Sequence, residues 1–336
     1  MTKKNILITG GAGFIGSSLT RFHLEQGNAV WVVDNLITGR KENLQDFQSN
    51  PSFRFDQEDM IEWPKLHEAV EWADNIYNMA AVVGQRQVLS APVNTLTMNI
   101  RCCEVVLQAM SSLNKKGRLL VASSSEVYRH TPQDLDKPFR EDSILPISSG
   151  HMLQETYPLS KIVNEIMGLA YAFEKGIHCT IARLFNTIGL NQTGRYGMVV
   201  PTFVDQALNQ KPLTVYGDGH QTRSFCNVKD TAKLFDLLLE NPESNQEIVN
   251  VGNDQECSIL DLAKLVRKIA NSNSEIKFLS YREAYGVDFV DHQRRRPNIE
   301  KLIKLTGYSP KWSLEQTLKE IIENASKKIR ETSHRG

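Results

Sequence analysis

The sequence predicts an α/β protein: a doubly wound parallel sheet filling most of the chain, followed by a smaller C-terminal lobe. Three observations carry that expectation. Short apolar, β-prone runs alternate with helical stretches through residues 1–184, and such alternation implies parallel strands joined by crossover helices. A glycine-rich turn, Gly10-Gly11-Ala12-Gly13-Phe14-Ile15-Gly16, separates the first run from the first helical stretch. The second run closes on an acidic residue, Asp34.

Composition bounds the partners. The chain has 336 residues, 39 basic against 39 acidic side chains, and 40% hydrophobic content, which suits one or two domains with a large core. Nucleic-acid and membrane-surface proteins carry a basic excess or a basic face, so neither partner is expected. The five cysteines, Cys102, Cys103, Cys179, Cys226 and Cys257, form no CxxC pair, so neither a metal site nor a disulfide framework is indicated. They read as reduced thiols of a cytoplasmic protein. The first residues run directly into a strand pattern without a signal-peptide core, and no apolar run reaches spanning length.

Taken in order, residues 5–9 form the first strand, and the glycine turn leads into an amphipathic helix with Leu19, Phe22 and Leu24. Gly10, Gly13 and Gly16 allow a tight turn and close backbone approach to a pyrophosphate. The helix after the turn offers N–H donors and a positive dipole end, and Phe14 and Ile15 of the turn are assigned to the same cofactor site. Asp34 can accept from both adenosine ribose hydroxyls and would repel a 2′-phosphate. NAD is therefore expected rather than NADP, with Asn35 and Gly39 in the same site. Arg40 is the residue that could neutralise a phosphate and reverse the choice.

A third strand at 53–55 leads to Asp59, placed to meet the adenine edge, and Met60; a helix follows at 65–72. The next strand, 75–81, ends in Ala80 and Ala81, small enough to let a dinucleotide lie against the backbone, or simply to pack a helix closely. A long helix at 96–110 carries Asn99, assigned to the cofactor site. The strand at 118–123 then runs into Ser123-Ser124-Ser125-Glu126-Val127-Tyr128. Ligands of open parallel sheets lie beyond the carboxyl ends of the strands, so the hydroxyls of this cluster, Ser123, Ser124 and Ser125 among them, and the Glu126 carboxylate should face the nicotinamide. A serine cluster before a helix otherwise reads as a cap.

Tyr157-Pro158-Leu159-Ser160-Lys161 places a phenol and an ammonium four residues apart on one helix face. A neighbouring positive charge stabilises a phenolate and makes tyrosine an acid–base group near neutral pH. Alone, the spacing fits a half-buried tyrosine beside a solvated lysine better.

With the glycine turn, Val33-Asp34-Asn35, Ser124-Ser125-Glu126-Val127-Tyr128 and the Tyr157/Lys161 pair together, the chain resembles the extended short-chain dehydrogenase/reductase family of nucleotide-sugar epimerases, dehydratases and decarboxylases, which has a Rossmann-type sheet. The resemblance covers nearly the whole chain. It implies that Tyr157 deprotonates the sugar O4 as hydride leaves C4 for NAD, that Lys161 holds the nicotinamide ribose and lowers the Tyr157 pKa, and that Ser124 hydrogen-bonds O4. In the second half it implies that Asn186 contacts the sugar diphosphate, that Val215 and Tyr216 surround uracil, and that Arg223 and Arg295 bind the diphosphate. Val200, in the segment 195–201, joins the substrate set. Arg294, Arg295 and Arg296 also fit a solvated basic run.

The same resemblance divides the reactions. Dehydratases of the family show Thr-Asp-Glu where this chain has Ser124-Ser125-Glu126, so dehydration is demoted. UDP-glucuronate decarboxylases show Thr-Ser-Glu, nearly matched here, whereas the segment before Tyr157 lacks their Ala-Cys-Tyr-Asp-Glu-Gly-Lys pattern. Many 4-epimerases carry no carboxylate at the place of Glu126. A UDP-sugar 4-epimerase is expected first, UDP-glucuronate decarboxylation second and dehydration third. A non-catalytic NAD(H) sensor is the alternative outside enzymology.

The expected organisation is an NAD-binding unit over 1–184, to which 225–250 returns, and a substrate lobe built mainly from 185–330. An amphipathic helix is expected at 313–328 and a frayed tail at 331–336. The resemblance also implies a homodimer paired through the helices at 96–110 and 157–173.

Overall fold

The structure, a computed structural model, describes residues 3–132, 134, 137–147, 153–194, 198–285 and 292–333. Met152, the segment Arg195-Tyr196-Gly197 and residues 334–336 lie outside the described residues.

The first half alternates as its periodicity requires: β1 (Asn5–Thr9), α1 (Phe14–Glu25), β2 (Ala29–Val33), β3 (Phe53–Asp56), α2 (Leu66–Trp72), β4 (Asn75–Asn78), α3 (Gln85–Ser90), α4 (Pro92–Ser112), β5 (Arg118–Ser124), α5 (Thr156–Lys175) and β6 (His178–Leu184). β7 (Thr187–Ile188), α6 (Val199–Leu208), β8 (Leu213–Tyr216), β9 (Thr222–Ser224), β10 (Cys226–Asn227), α7 (Val228–Glu240) and β11 (Ile248–Val251) follow. The chain ends with β12 (Glu256–Ser258), α8 (Ile259–Ile269), β13 (Ile276–Leu279), α9 (Tyr281–Tyr285), β14 (Arg294–Arg295), α10 (Glu300–Thr306) and α11 (Leu314–Ser333).

Seven strands form one parallel sheet in the order β11-β6-β5-β4-β1-β2-β3. Strand order reverses between β1 and β4, and a crevice opens there at the carboxyl ends. Alternate residues feed the two faces, as a pleat demands. Leu7, Trp31, Ile76, Leu119 and Ile181 pack under α2, α4 and α5, whereas Ile6, Ile8, Val30, Val32 and Leu120 pack under α1 and α7. Each such side chain contributes roughly 1.5–3 kcal/mol on burial.

α5 inverts the usual amphipathic pattern. Its sheet-facing side is small or polar, with Lys161, Asn164, Glu165, Gly168 and Ala172 buried, while Ile166 and Phe173 stand 62% and 84% exposed. Gly168 sits so close to the sheet that a Cβ would stand 3.0 Å from both Cys179 Sγ and Ile181 Cδ1. The absent side chain lets the helix approach and carries Lys161 down to the strand ends.

β11 extends the sheet by pairing with β6, Ile248 opposite Ile181 through Val251 opposite Leu184. The chain returns again at α10, where Ile299 and Leu302 join the core beneath α7. The lobe has its own core, including Phe203, Val204, Leu262, Val266 and Leu318 from α6, α8 and α11. Two small sheets, β13-β8 and β12-β9-β14, roof the crevice.

Candidate active site

A cleft of about 880 Å³ runs along the crevice between sheet and lobe. Its floor is the glycine turn. Gly10 has φ +66°, and a Cβ there would stand 2.8 Å from Ala80 N; one on Gly16 would stand 2.3 Å from Gly10 O. No side chain caps the N-terminus of α1, and its first turn holds no acidic residue, so the donors and the dipole end remain available to an anion. Gly10, Gly13, Phe14, Ile15 and Gly16 all line the cleft. These features fit a dinucleotide pyrophosphate.

Asp34 accepts from Ala12 N at 3.0 Å and Leu36 N at 2.8 Å, bracing the turn from the end of β2. Burial raises its pKa, and those backbone donors act against the rise. Gly39 does not line the cleft; it lies behind Asp34, where a Cβ would come within 2.7 Å of Oδ1. Arg40 donates to Thr193 Oγ1 at 3.1 Å and so reaches toward the lobe. Asn35 donates to Asp59 Oδ2 at 3.0 Å, and Asp59, Met60, Ala80 and Ala81 border the same end.

Asn99, assigned to the cofactor, is 1% exposed and stands behind the wall instead. It accepts from Val82 N at 2.7 Å, and its amide donates to Val82 O at 3.2 Å and Ser160 Oγ at 3.1 Å. Its role is to fix the loop after β4 against α5. Thr9, not singled out in the sequence, does similar work: its hydroxyl accepts from Met79 N and Ala80 N, both at 3.1 Å.

At the far end Ser124 closes β5 and caps the following turn by accepting from Glu126 N at 3.2 Å. Tyr157 stands against Ser124, whose hydroxyl acts to lower the phenol's pKa. It occupies the first turn of α5, where Pro158 is tolerated because N–H groups there have no helical partner. One turn on, Lys161 Nζ donates to Ala122 O at 2.8 Å and stands 5.8 Å from the Tyr157 ring centroid. The expected lowering of the Tyr157 pKa is absent in the protein alone. Burial pushes the phenol up to about 12 against the lowering influence of Ser124, with Glu126 adding to the rise. Burial likewise pulls Lys161 down to about 8. Depth in the fold outweighs the mutual influence of the pair.

Behind these groups, Arg183 donates to both oxygens of Glu165, at 2.9 and 2.8 Å, and Ser123 Oγ donates to the same carboxylate at 2.5 Å. This buried network ties α5, β5 and β6 together through Ser123, the neighbour of Ser124 on β5.

Glu126 lies between two guanidiniums. Arg129 Nη2 donates to Oε2 at 2.5 Å, and Arg295 Nη1 donates to Oε1. Burial would raise the carboxyl, but Arg295 and Arg129 overcome it and hold the pKa at about 2. Arg295, expected at the diphosphate, is thus placed on Glu126. Arg129 was missed, although its three-residue spacing from Glu126 on a turn was a readable signal.

Ser125 lines the cleft from the turn after β5, and Asn186, Val200, Tyr216 and Arg223 line it on the lobe side. Asn186 donates to Ser224 O at 3.1 Å, and Arg223 Nη1 donates to Thr222 O at 2.7 Å and His292 O at 2.9 Å. Val215 is a correction: its side chain is fully buried in the lobe core, because β8 alternates and turns Thr214 and Tyr216 to the cleft. Tyr281 and Gln192 are further lining residues that the sequence did not mark. Among the described residues no cluster of His, Cys, Asp or Glu could hold a metal, and no helix is long and apolar enough to cross a membrane.

Residues 6–252 match the NAD dependent epimerase/dehydratase family. The chain is 33% identical over 324 residues, 96% of its length and 97% of the relative's, to UDP-N-acetyl-alpha-D-glucosaminuronate decarboxylase of Bacillus cytotoxicus. It is 37% identical over 333 residues to UDP-glucuronic acid decarboxylase 1 of Danio rerio, covering 97% of this chain and 74% of that one. Among solved structures it is similar to UDP-glucuronic acid 4-epimerase of Bacillus cereus in complex with UDP-glucuronic acid and NAD, with TM-score 0.84 and 28% identity over 97% of this chain and 99% of that one.

Proposed function

Because this chain belongs to the NAD dependent epimerase/dehydratase family, we propose that it decarboxylates a UDP-hexuronate by transient oxidation at sugar C4. NAD is its cofactor and, when bound, accepts hydride from C4 and returns it within the turnover. The observation that carries the reading is Glu126, held as a carboxylate by Arg129 and Arg295 beside the Tyr157–Ser124 couple.

The chain's own groups divide the work. Tyr157 takes the O4 proton, Ser124 orients O4, and Lys161 holds the cofactor's ribose near them. Oxidation places a C4 carbonyl β to the C6 carboxylate. The C5–C6 bond then breaks, its electron pair moves toward the carbonyl as an enolate, carbon dioxide leaves, and C5 takes a proton. A cation on the departing carboxylate would stabilise the charge that must disappear. Arg129 and Arg295 are engaged by Glu126, whose own charge disfavours a second carboxylate alongside. Asn186 and Arg223 are assigned to the diphosphate, where a guanidinium fork matches phosphate oxygens, and Tyr216 to the base.

The relatives named as decarboxylases support this order, which moves epimerisation from first to second. The 4-epimerase of Bacillus cereus favours the second reading, inversion of a UDP-hexuronate at C4 with the carboxylate retained. Incubation with UDP-, dTDP- and GDP-sugars, including UDP-glucuronate and its 2-acetamido analogue, followed by mass spectrometry and proton NMR, tests both. Loss of carbon dioxide is expected; an unchanged mass with a new sugar signal means epimerisation, and loss of water means dehydration. Cofactor binding without conversion of any sugar would leave the sensor. Pairing of two copies through α4 and α5 belongs to the same proposal, because the exposed Ile166 and Phe173 give α5 an apolar outer face.

A further inference from the structure

Arg295 reaches Glu126 from a strand only two residues long. β14 lies beside β9 with Arg294 opposite Thr222 and Arg295 opposite Arg223, and β12 flanks β9 on its other edge. Successive side chains of an extended chain leave opposite faces, so Arg294 and Arg296 depart on the side away from Arg295. Both meet Glu256. Arg294 Nε donates to its two oxygens at 2.8 and 2.8 Å, Arg296 Nε lies 3.6 Å from Oε2, and Thr222 Oγ1 donates to Oε1 at 2.7 Å. Three consecutive guanidiniums beside Arg223 would otherwise repel one another. Glu256 does not itself line the cleft.

We propose that Glu256 is a positioning residue: by anchoring Arg294 and Arg296 from behind, it sets where Arg295 stands against Glu126. The kinetic consequence rests on the reading that Glu126 governs the fate of the oxidised sugar; the geometric one does not. Glu126 is faced by Arg129 from its own turn, Arg295 from β14 and Tyr157 from α5. When Arg295 drifts, Arg129 alone opposes burial and Glu126 takes up its proton at higher pH.

The test uses full-length NAD-loaded enzyme with side-chain 13C-labelled glutamate, with Glu126→Gln identifying the Glu126 signal. In Glu256→Gln the Glu126 midpoint should rise by about one pH unit or more, as loss of an opposite charge does, and Glu256→Asp should restore it in part. In the same variant kcat should fall about tenfold to a hundredfold with KM nearly unchanged, the mark of misplacement in the reacting complex. If Glu256→Gln proves unfolded by circular dichroism, Arg294→Lys, which replaces the fork by a point charge, should show the same midpoint shift. A folded variant that melts earlier yet keeps the wild-type midpoint and kcat overturns the proposal. Absence of carbon dioxide release by wild-type enzyme overturns the reaction instead, and the NMR midpoint still decides the role of Glu256.

Discussion

The Glu126 carboxylate accepts a hydrogen bond from Arg295 across 169 residues of chain. Glu126 belongs to the turn after β5, in the sheet unit, and Arg295 to the roof contributed by the second half. The pair therefore closes the cleft at its reactive end, and its charge balance depends on both parts being in place.

Removing the acid tests that balance. Glu126→Gln leaves two guanidiniums facing the sugar without their counter-charge, ready to pair with a substrate carboxylate. Carbon dioxide release should fall by about 10²-fold, within the range of a lost charged group in the transition state, while the oxidation step persists. Single-turnover absorbance of reduced cofactor, followed beside gas release, separates the two steps; an unaltered release rate contradicts the assignment.

Tyr157→Phe should lower kcat by about 10²–10⁴-fold, the usual worth of a positioned acid–base group, without loss of NAD. Because burial raises the phenol to about 12 in the protein alone, the proton-accepting form grows as pH rises. Wild-type kcat/KM should therefore climb with pH through the neutral range, and the residual rate of the variant should not. Near-wild-type turnover by the variant would refute the role.

Lys161 carries a folding penalty. Its pKa falls from the ordinary 10.5 to about 8 on burial. Between those values the unfolded chain holds a proton that the folded chain has released, so stability rises with pH across that window and the full deficit applies below it. At ~1.4 kcal/mol per unit the deficit is about 3 kcal/mol, offset by ~1 kcal/mol for the bond to Ala122 O. Lys161→Met should thus raise the melting temperature of cofactor-free protein at pH 7, lose that advantage above pH 10, and abolish turnover. Calorimetry at the two pH values checks the sign.

Pairing through α4 and α5 predicts a dimer mass in sedimentation equilibrium. The double change Ile166→Glu and Phe173→Glu, at positions 62% and 84% exposed in the single chain, should give a folded monomer. A wild-type monomer would dismiss the pairing.

What could be read from the sequence was local. The order of strand, glycine turn and helix, the acidic end of β2, and the four-residue spacing of Tyr157 and Lys161 depend on neighbours in the chain. The side of β8 was readable too, since Leu213 and Val215 alternate with Thr214 and Tyr216, and taking Val215 for the cleft ignored that period. Pro92 at the first position of α4 marked its start, four residues before the expected 96. β4 stops at Asn78, before the expected 81: Met79 N is shared between Thr9 O and the Thr9 hydroxyl, and Ala80 N goes to that hydroxyl and leaves the ladder. The pKa values of Tyr157 and Lys161, the retreat of Asn99 behind Val82, and the seats of Arg295 and Glu256 arise from depth and long-range register, which no short window contains.

Gly168 lies two turns beyond Lys161 and touches nothing that reacts. Its missing side chain nevertheless sets the height of α5 above Cys179 and Ile181, and with it the depth to which the ammonium and the phenol descend. The reactive geometry is in that sense gauged by a methyl-sized gap on the far part of the helix: one added carbon there would act as a shim, lifting a rigid rod whose other end carries the chemistry.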